Sequence, residues 1–246
     1  MSGDRVSRMF DVLELLVGRR GGMTVTEISK RLDLPISSTH NMLQRLVASD
    51  LVVSSEGPRY SIGGRLVRLG IKVVDGLEIR AVARKPLQDL ARAIDDDIYL
   101  AVRLGRRVVY VDRMQGTRAI SVDIRLGQDL YLHATSVGKL FASYDPGCRR
   151  RMLSGPLPQL TQHTLTEPED LELACKEVLR NGYALSIEEA VLGIAGVAVP
   201  IFDATHQLAG AIHVSSLAAN MSSERTRDVV EAAGATATVI ERALGR

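Results

Sequence analysis

The segment from Met23 to Ser49, MTVTEISKRLDLPISSTHNMLQRLVAS, decides the fold of the first part of the chain. Its Thr24 and Glu27 stand three positions apart, the spacing of a capping box in which two side chains satisfy backbone amides at a helix start. The tripeptide Asp33-Leu34-Pro35 predicts a turn, and Ser37 is a favourable N-cap for a helix that runs to about Ser49. The segment therefore predicts two helices joined by a tight turn.

Elements on both sides of this segment complete a winged helix-turn-helix. Before it, apolar residues at helical spacing between Arg5 and Arg19 predict a first helix, which ends at Gly21-Gly22. After it, two short β-type runs at 51–53 and 59–62 flank residues 54–58 and predict a hairpin. In this architecture the third helix enters the major groove of DNA, and the hairpin, or wing, touches the backbone or the minor groove.

The predicted third helix separates into an apolar face and a polar face. Its apolar stripe contains Thr39, Leu43, Leu46 and Val47. The other face carries hydroxyls, amides, an imidazole and a guanidinium, groups that hydrogen-bond base edges and phosphates. A solvated face usually carries Glu and Lys, and this one has neither. We therefore expect DNA contacts from Thr26, Ser37, Ser38, His40, Asn41, Gln44 and Arg45, with Arg59 on the wing.

The distribution of charge supports that expectation. The chain has 31 basic and 29 acidic residues, a net charge of +2, which excludes a histone-like polycation. Residues 35–72 contain five basic and two acidic residues, a net charge of +3, so the remainder carries −1. Aromatic residues make up 4% of the chain and Trp is absent, which disfavours the stacking platforms of single-strand nucleic-acid binders. The alternative is a winged helix that binds another protein rather than DNA.

Composition places the chain among folded globular proteins. It has 246 residues, of which 46% are apolar and 24% charged, enough for one large domain or two small ones. No apolar run approaches the ~18 residues of a membrane span and no signal-peptide core is visible, so we expect a cytoplasmic protein with no membrane partner. Cys148 and Cys175 lack metal-ligand spacing, and we predict reduced thiols, no metal and no cofactor.

The rest of the chain predicts a domain of mixed helices and strands. Helices are predicted at 65–76, 81–94, 136–144, 168–181 and 222–244, and strands at 97–102, 108–111, 119–124, 183–187, 194–202 and 208–215. Strands interspersed with helices in this order indicate an α+β sheet domain.

Together these segments resemble the IclR family of bacterial transcription regulators. The resemblance covers essentially the whole chain and is carried by MTVTEI at 23–28, LPISSTH at 34–40, RYSIG at 59–63, VYVDR at 109–113, LHATSVGK at 132–139 and GYAL at 182–185. It implies a winged helix-turn-helix at 1–63, a helical linker at 64–80 and a GAF-like α/β effector-binding and oligomerisation domain at 81–246. It also implies homodimers, often paired into homotetramers, on palindromic double-stranded operator DNA.

A candidate small-molecule site begins at Thr135, Ser136 and Val137, which open a predicted helix. Free amides at a helix N-terminus attract a carboxylate. On the local sequence alone, the alternative is a well-capped helix without a ligand. The family resemblance implies that this loop holds small acidic effectors.

The sequence departs from the family's pattern around that site. Ser186 stands where many members have Asp, Gly196 where they have Cys, and His213-Val214-Ser215 where a Ser-x-Ser pair is common. We expect the smaller side chains to open volume and His213 to titrate near neutrality. We hypothesise that the effector is larger than a two- or three-carbon oxo acid and that it is an aromatic carboxylate. The alternative for His213 is a hydrogen-bonded core residue.

No catalytic motif is visible. The chain has no nucleophile elbow, phosphate-binding Gly-rich loop, dinucleotide fingerprint or zincin motif, so no catalytic residue is predicted. The run Asp95-Asp96-Asp97 is typical of a solvated cap, and Cys148, followed by three arginines that would lower its pKa, is either an inert surface thiol or a redox sensor. The sequence predicts a ligand-responsive repressor or activator of a catabolic or metabolic operon. The alternative is a winged-helix head fused to a catalytic α/β domain that acts on a small acid.

Overall fold

The computed structural model describes residues 5–54, 57–117 and 124–245. The strand predicted at 119–124 falls, apart from Ile124, outside these residues. The chain divides into two compact units, Met1–Gly76 and Leu77–Arg246, which we call the first and the second unit. Among the described helices, none is both long and apolar enough to cross a membrane.

The first unit is a winged helix-turn-helix. Its elements are α1 (Arg5–Leu16), β1 (Met23–Thr24), α2 (Val25–Leu32), α3 (Ile36–Ala48), β2 (Val52–Ser54), β3 (Arg59–Ile62) and α4 (Gly64–Asp75). The strands pair antiparallel in the order β1-β3-β2, so a short strand that was not predicted joins the expected hairpin. A core that includes Val12, Leu16, Ile28, Leu43 and Tyr60 holds the helices on this sheet.

The start of α3 is held by a proline rather than by a serine. The capping box of α2 is confirmed, because Thr24 N–H donates to Glu27 Oε2 at 2.7 Å and Glu27 N–H donates to Thr24 Oγ1 at 3.2 Å. The prediction that Ser37 caps α3 is wrong. Pro35 is the N-cap, its φ held at −57° by the ring, and Thr39 Oγ1 donates to its carbonyl at 3.0 Å. Ser37 therefore lies in the first turn with an exposed side chain.

The second unit is an antiparallel sheet with helices on both faces, which confirms the α+β class. Its elements are α5 (Glu78–Ile94), β4 (Asp97–Leu104), β5 (Arg107–Met114), α6 (Ser136–Tyr144), α7 (Pro146–Ser154), α8 (Pro168–Asn181), β6 (Ala184–Ile187), β7 (Ile194–Phe202), β8 (Leu208–Leu217), a 3₁₀ turn (Ala218–Asn220) and α9 (Ser223–Ala243). The strand order is β5-β4-β8-β7-β6.

Alternation along the strands assigns the side chains to two separate cores. Ile98 and Leu100 of β4 pack with α5 and α9, whereas Tyr99 and Ala101 of the same strand pack with α6, α7 and α8. This is the period of two expected for a sheet that is covered on both sides. The core on the side of α6 also borders the candidate small-molecule site.

The acidic run before β4 is not the solvated cap that the sequence suggested. Asp96 and Asp97 are buried. Asp96 accepts from Arg225 Nη2 at 2.8 Å and from Ser216 Oγ at 2.8 Å, and Asp97 accepts from Arg113 Nη2 at 3.0 Å. The run leads into the central strand β4. Arg225 of α9 and Arg113 of β5 pair with the two buried carboxylates and offset the cost of removing them from water.

Candidate functional site

The exposed face of α3 carries the residues predicted to contact DNA. Thr39, Met42, Leu43 and Leu46 are buried and hold the helix on the core. The opposite face is exposed along its whole length and consists of Ser37, Ser38, His40, Asn41, Gln44 and Arg45. Within this face the His40 and Gln44 side chains lie one turn apart, with their Nε2 atoms at 3.4 Å.

Two arginines of α1 extend this polar surface. Arg5 and Arg8 line a cleft of about 570 Å³ together with Ser38, Asn41, Met42, Gln44 and Arg45. Sequence reasoning missed them, although a signal exists. Arg5 and Arg8 lie on the same face of α1 as the buried Val12 and Leu16. The first turn of this face is therefore basic, where apolar residues would be expected. Two guanidiniums beside the side chains that are predicted to contact DNA are suited to phosphate groups.

Thr26 and Arg59 lie outside that cleft. Thr26 is exposed in the first turn of α2. The Arg59 guanidinium donates from Nη1 to the carbonyl of Gly22 at 2.9 Å and lies 3.7 Å from Glu27 Oε2. The wing arginine is thus tied to the segment before α2, while about half of its side chain stays accessible to solvent.

A small cavity in the second unit brings together six of the seven residues predicted for the small-molecule site. It measures about 140 Å³ and is lined by Thr135, Ser136, Ser186, Gly196, His213 and Ser215. The seventh, Val137, has its side chain in the core beneath α6. The cavity is completed by residues that the sequence did not point out, namely Tyr110, Ile124, Leu130, Ala134, Ala190, Val191 and Ile194. Their apolar character would have been visible in the sequence, but their convergence depends on the fold.

The N-terminus of α6 lies at this cavity, since Thr135 and Ser136 line it. Thr135 is the N-cap, and its Oγ1 accepts from Gly138 N–H at 3.0 Å. Lys139 N–H makes the first bond of the helix, to the Thr135 carbonyl at 3.0 Å. The amides of Ser136 and Val137 precede that bond, at the positive end of the helix dipole. Gly138 allows the close packing, because a Cβ there would overlap the backbone of Leu132.

The hydroxyl groups around the cavity differ in how far they are engaged. Ser186 Oγ donates to the Ala134 carbonyl at 3.0 Å, and Ser136 Oγ lies 3.2 Å from His213 Nδ1. Ser215 Oγ is buried and has no hydrogen-bond partner among the described residues. A buried hydroxyl without a partner is costly, so Ser215 retains both a donor and an acceptor for a bound molecule.

His213 is a buried, neutral histidine at the edge of the cavity. Burial lowers its pKa to about 4, and a hydrogen bond with the Val197 backbone only partly opposes that effect. The expectation that this group titrates near neutrality is therefore wrong. Its ring lies 5.2 Å from that of Tyr110 and 5.9 Å from that of Tyr99, centroid to centroid. His213 thus combines the two roles weighed for it, because it is a hydrogen-bonded core residue and also lines the cavity.

The space that Gly196 leaves is filled by the His213 ring. A Cβ at position 196 would lie 2.5 Å from His213 Cε1 and 3.1 Å from Ser136 Oγ. The expectation that a glycine at this position opens volume for a ligand is therefore wrong. The remaining cavity, at about 140 Å³, is of the size of the ~150 Å³ protein cavity that binds benzene.

The cysteines offer no activated thiol. Cys148 is buried, and burial together with the Asp145 carboxylate raises its pKa to about 11, against the smaller effect of Arg103 and Arg151. Cys148 is buried rather than at the surface and its pKa is raised rather than lowered, so those two expectations are wrong, whereas an inert thiol agrees with both observations. Burial also raises the pKa of Cys175. Within residues 5–54, 57–117 and 124–245, no three His, Cys, Asp or Glu side chains cluster as metal ligands.

Both units of the chain match known proteins. The family model for the IclR helix-turn-helix domain matches residues 6–56, and that for the bacterial transcriptional regulator IclR C-terminal region matches residues 71–242. The HTH-type transcriptional regulator XynR of Escherichia coli (strain K12) is 29% identical over 243 residues, which cover 98% of this chain and 96% of XynR. The HTH-type transcriptional regulator BhcR of Paracoccus denitrificans is 31% identical over 223 residues, 89% of this chain and 80% of BhcR.

A solved structure resembles the whole chain. It is an IclR homolog from Microbacterium hydrocarbonoxydans complexed with 4-hydroxybenzoate, 26% identical in sequence, with a TM-score of 0.86. The match covers 98% of this chain and 99% of that one.

Proposed function

The chain belongs to the IclR family of bacterial transcriptional regulators, and we propose that it is a repressor or activator of a catabolic operon whose effector is a monocyclic aromatic carboxylate. Residues 1–63 would bind the operator, and residues 81–246 would bind the effector and oligomerise. Residues 64–80 would form a helical linker between these two domains. The observation that carries the choice of effector is the 140 Å³ cavity, which is mostly apolar and ends at the N-terminus of α6.

The arrangement of groups around the cavity suits a ring with one acidic substituent. The carboxylate would accept hydrogen bonds from the amides of Ser136 and Val137, where the helix dipole favours an anion. The ring would pack against Tyr110, Leu130 and Ile194. A polar substituent on the ring would meet the unpartnered hydroxyl of Ser215. The 4-hydroxybenzoate in the Microbacterium homolog has this combination of groups, which supports the same chemical class for this chain.

Effector binding would act on the segment that covers the cavity. Ala190 and Val191 line it, and the neighbouring Glu189 forms a buried ion pair with Lys139 of α6, Oε1 to Nζ at 2.6 Å. One end of α6 therefore faces the effector while its second turn is tied to the β6–β7 connection. A ligand that binds one arrangement of this connection better than another shifts the population of the two, as regulation requires.

The operator would be read mainly by α3. We assign base and phosphate contacts to Ser37, Ser38, His40, Asn41, Gln44 and Arg45, with supporting contacts from Thr26 and Arg59. A homodimer or homotetramer is supported by apolar side chains that the chain leaves exposed, namely Val6 and Phe10 of α1, Val17 just after it, and Val67, Leu69, Ile71 and Val73 of α4. Exposed apolar surface of this kind is typical of an interface between subunits.

The effector proposal is tested by thermal shift and calorimetry on the full chain with benzoate, 4-hydroxybenzoate, glyoxylate and pyruvate. We expect stabilisation by at least one aromatic acid, and a change in the affinity for operator DNA selected from the source genome. The Ser215→Ala variant should lose part of the affinity for 4-hydroxybenzoate but not for benzoate. Stabilisation by glyoxylate or pyruvate and by no aromatic acid would contradict the proposal.

A further inference from the structure

A second, chemically different cleft lies in the second unit at the turn between β4 and β5. It measures about 350 Å³ and is lined by Arg103, Gly105 and Arg106 of that hairpin and by Asp145, Gly147, Cys148, Arg150, Arg151 and Ser154 at α7. The two segments lie 39 positions apart in the sequence, from Arg106 to Asp145, and neither suggests a site alone. None of these residues lines the small apolar cavity.

The cleft concentrates positive charge in a unit that is otherwise slightly acidic. Residues 77–246 contain 20 basic and 21 acidic residues. The cleft has four guanidiniums and one carboxylate, a local charge of +3. Several positive charges gathered in a concave surface strengthen the local electric field, which favours the binding of an anion.

Among the described residues that line the cleft, the single carboxylate is already engaged. Asp145 Oδ2 lies 3.1 Å from Arg103 Nε, and Asp145 Oδ1 accepts from Cys148 N–H at 2.8 Å. Arg151 is also oriented, with its Nη2 3.2 Å from Asp129 Oδ1. Two arginines of the cleft are therefore held in place by acids, and most of their N–H groups remain available.

The other two arginines have no such partner. Among the described residues, neither Arg106 nor Arg150 makes an ion pair or a side-chain hydrogen bond, and both side chains are exposed. A guanidinium presents five donors in a planar fork that matches the oxygens of a phosphate in pairs. Four such forks around a cleft of small-ligand size fit an anion with more than one phosphate group better than a single carboxylate.

From this geometry we infer that the cleft binds a small molecule bearing a diphosphate group, a second ligand distinct from the aromatic acid. Arg103 and Arg151 form the fixed floor of the site, and Arg106 and Arg150 close over the ligand. At the N-terminus of α7, Pro146 has no N–H and the Cys148 N–H is held by Asp145, so the Gly147 amide is what this helix adds to the cleft. A concave cleft of about 350 Å³ suits a compact ligand, whereas a DNA duplex would need an extended surface.

The inference is tested by calorimetry of the full chain with inorganic pyrophosphate, sulfate and acetate at physiological ionic strength. We expect pyrophosphate to bind at least tenfold more tightly than sulfate, and acetate not at all. The double variant R106Q/R150Q should weaken pyrophosphate binding at least tenfold, because it removes the two unpartnered forks. Its response to the aromatic acid should stay unchanged, so failure here is distinguishable from failure of the proposed effector.

The matched control is R84Q/R227Q, which removes two exposed arginines of the same unit that do not line the cleft. It should bind pyrophosphate within twofold of the original chain. Equal weakening in both double variants would overturn the inference, since it would show general charge attraction only. Absence of pyrophosphate binding would overturn it as well, and so would weakened DNA binding by R106Q/R150Q without any affinity for pyrophosphate.

Discussion

The exposed face of α3 and the cavity of the second unit use similar side chains in opposite surroundings. On α3, Ser38, Asn41 and Gln44 are exposed and exchange readily between water and a partner. Around the cavity, Ser186 and His213 are buried and already hydrogen-bonded within the chain, and Ser215 is buried with no hydrogen-bond partner in the part of the chain that the structure describes. Changes on the first surface should therefore alter binding and leave stability intact, whereas changes in the second should alter both.

The largest effect expected is a loss of stability in acid that comes from His213. Its pKa is about 4 in the folded chain against an ordinary value of 6.5. The unfolded chain therefore binds the proton first, so the contribution is complete above pH 6.5 and is lost as pH falls to 4. The loss amounts to about 3 kcal/mol. The free energy of unfolding, measured with urea between pH 7 and pH 4, should show this loss in the original chain and not in His213→Gln.

Equal pH dependence of the original chain and His213→Gln would contradict this assignment. The variant is a suitable reference because its side chain can still bond to Ser136 but does not titrate. The exposed face of α3 should contribute nothing to the difference, and this separates the two regions compared above.

The next effect concerns Arg45 on the exposed face. Arg45→Ala is expected to weaken operator binding by roughly 1–3 kcal/mol, and to change the free energy of unfolding by less than about 0.5 kcal/mol, because the side chain is exposed. Binding measured by fluorescence anisotropy at several salt concentrations separates two roles. An unchanged salt slope identifies a base contact, and a slope lowered by about 1 identifies a phosphate contact. Unchanged affinity at every salt concentration would remove Arg45 from the interface.

The paired arginines of α1 should act through phosphate alone. R5Q/R8Q is expected to lower the salt slope of operator binding by about 2, one for each lost phosphate contact, and to leave the preference among operator sequences unchanged. Competition between the operator and single-base variants checks that preference. Altered sequence preference would show that these side chains reach base edges.

The smallest effect should come from Ser215. Ser215→Ala removes a buried hydroxyl that has no partner among the described residues, so the unligated chain should gain about 1 kcal/mol of stability. Ser186→Ala is the matched control, because it removes a hydroxyl that donates to the Ala134 carbonyl and should destabilise by a similar amount. Destabilisation by both variants in urea titrations would show that Ser215 has a bonding role in the unligated chain.

The contrast between the two regions also explains what could be predicted from the sequence. The polar face of α3 follows from a local period of 3.6 residues, and the capping box follows from a spacing of three. Both could therefore be predicted from the sequence. The strands of the second unit were readable as well. Helix α7 was missed because it opens with Pro146-Gly147 and buries only Cys148 and Met152, too little for an apolar stripe.

The cavity could be predicted only through the family resemblance. Its geometry depends on strand register, which pairs His213 with Tyr99 on one side and with Ala198 on the other. The partner of Ser136 is 77 positions away, and no local pattern reports such a contact. The low pKa of His213 and the burial of Asp96 have the same origin, because each depends on what distant segments place around the side chain.

The fit of the His213 ring over Gly196 restricts how this cavity can change over generations. A Cβ at 196 would lie 2.5 Å from His213 Cε1 and 3.1 Å from Ser136 Oγ, so a larger residue there requires these side chains to shift. Replacing His213 by a residue without a ring removes the closer of the two contacts. We therefore expect a library that varies positions 196 and 213 together to reach more cavity shapes than one that varies position 196 alone.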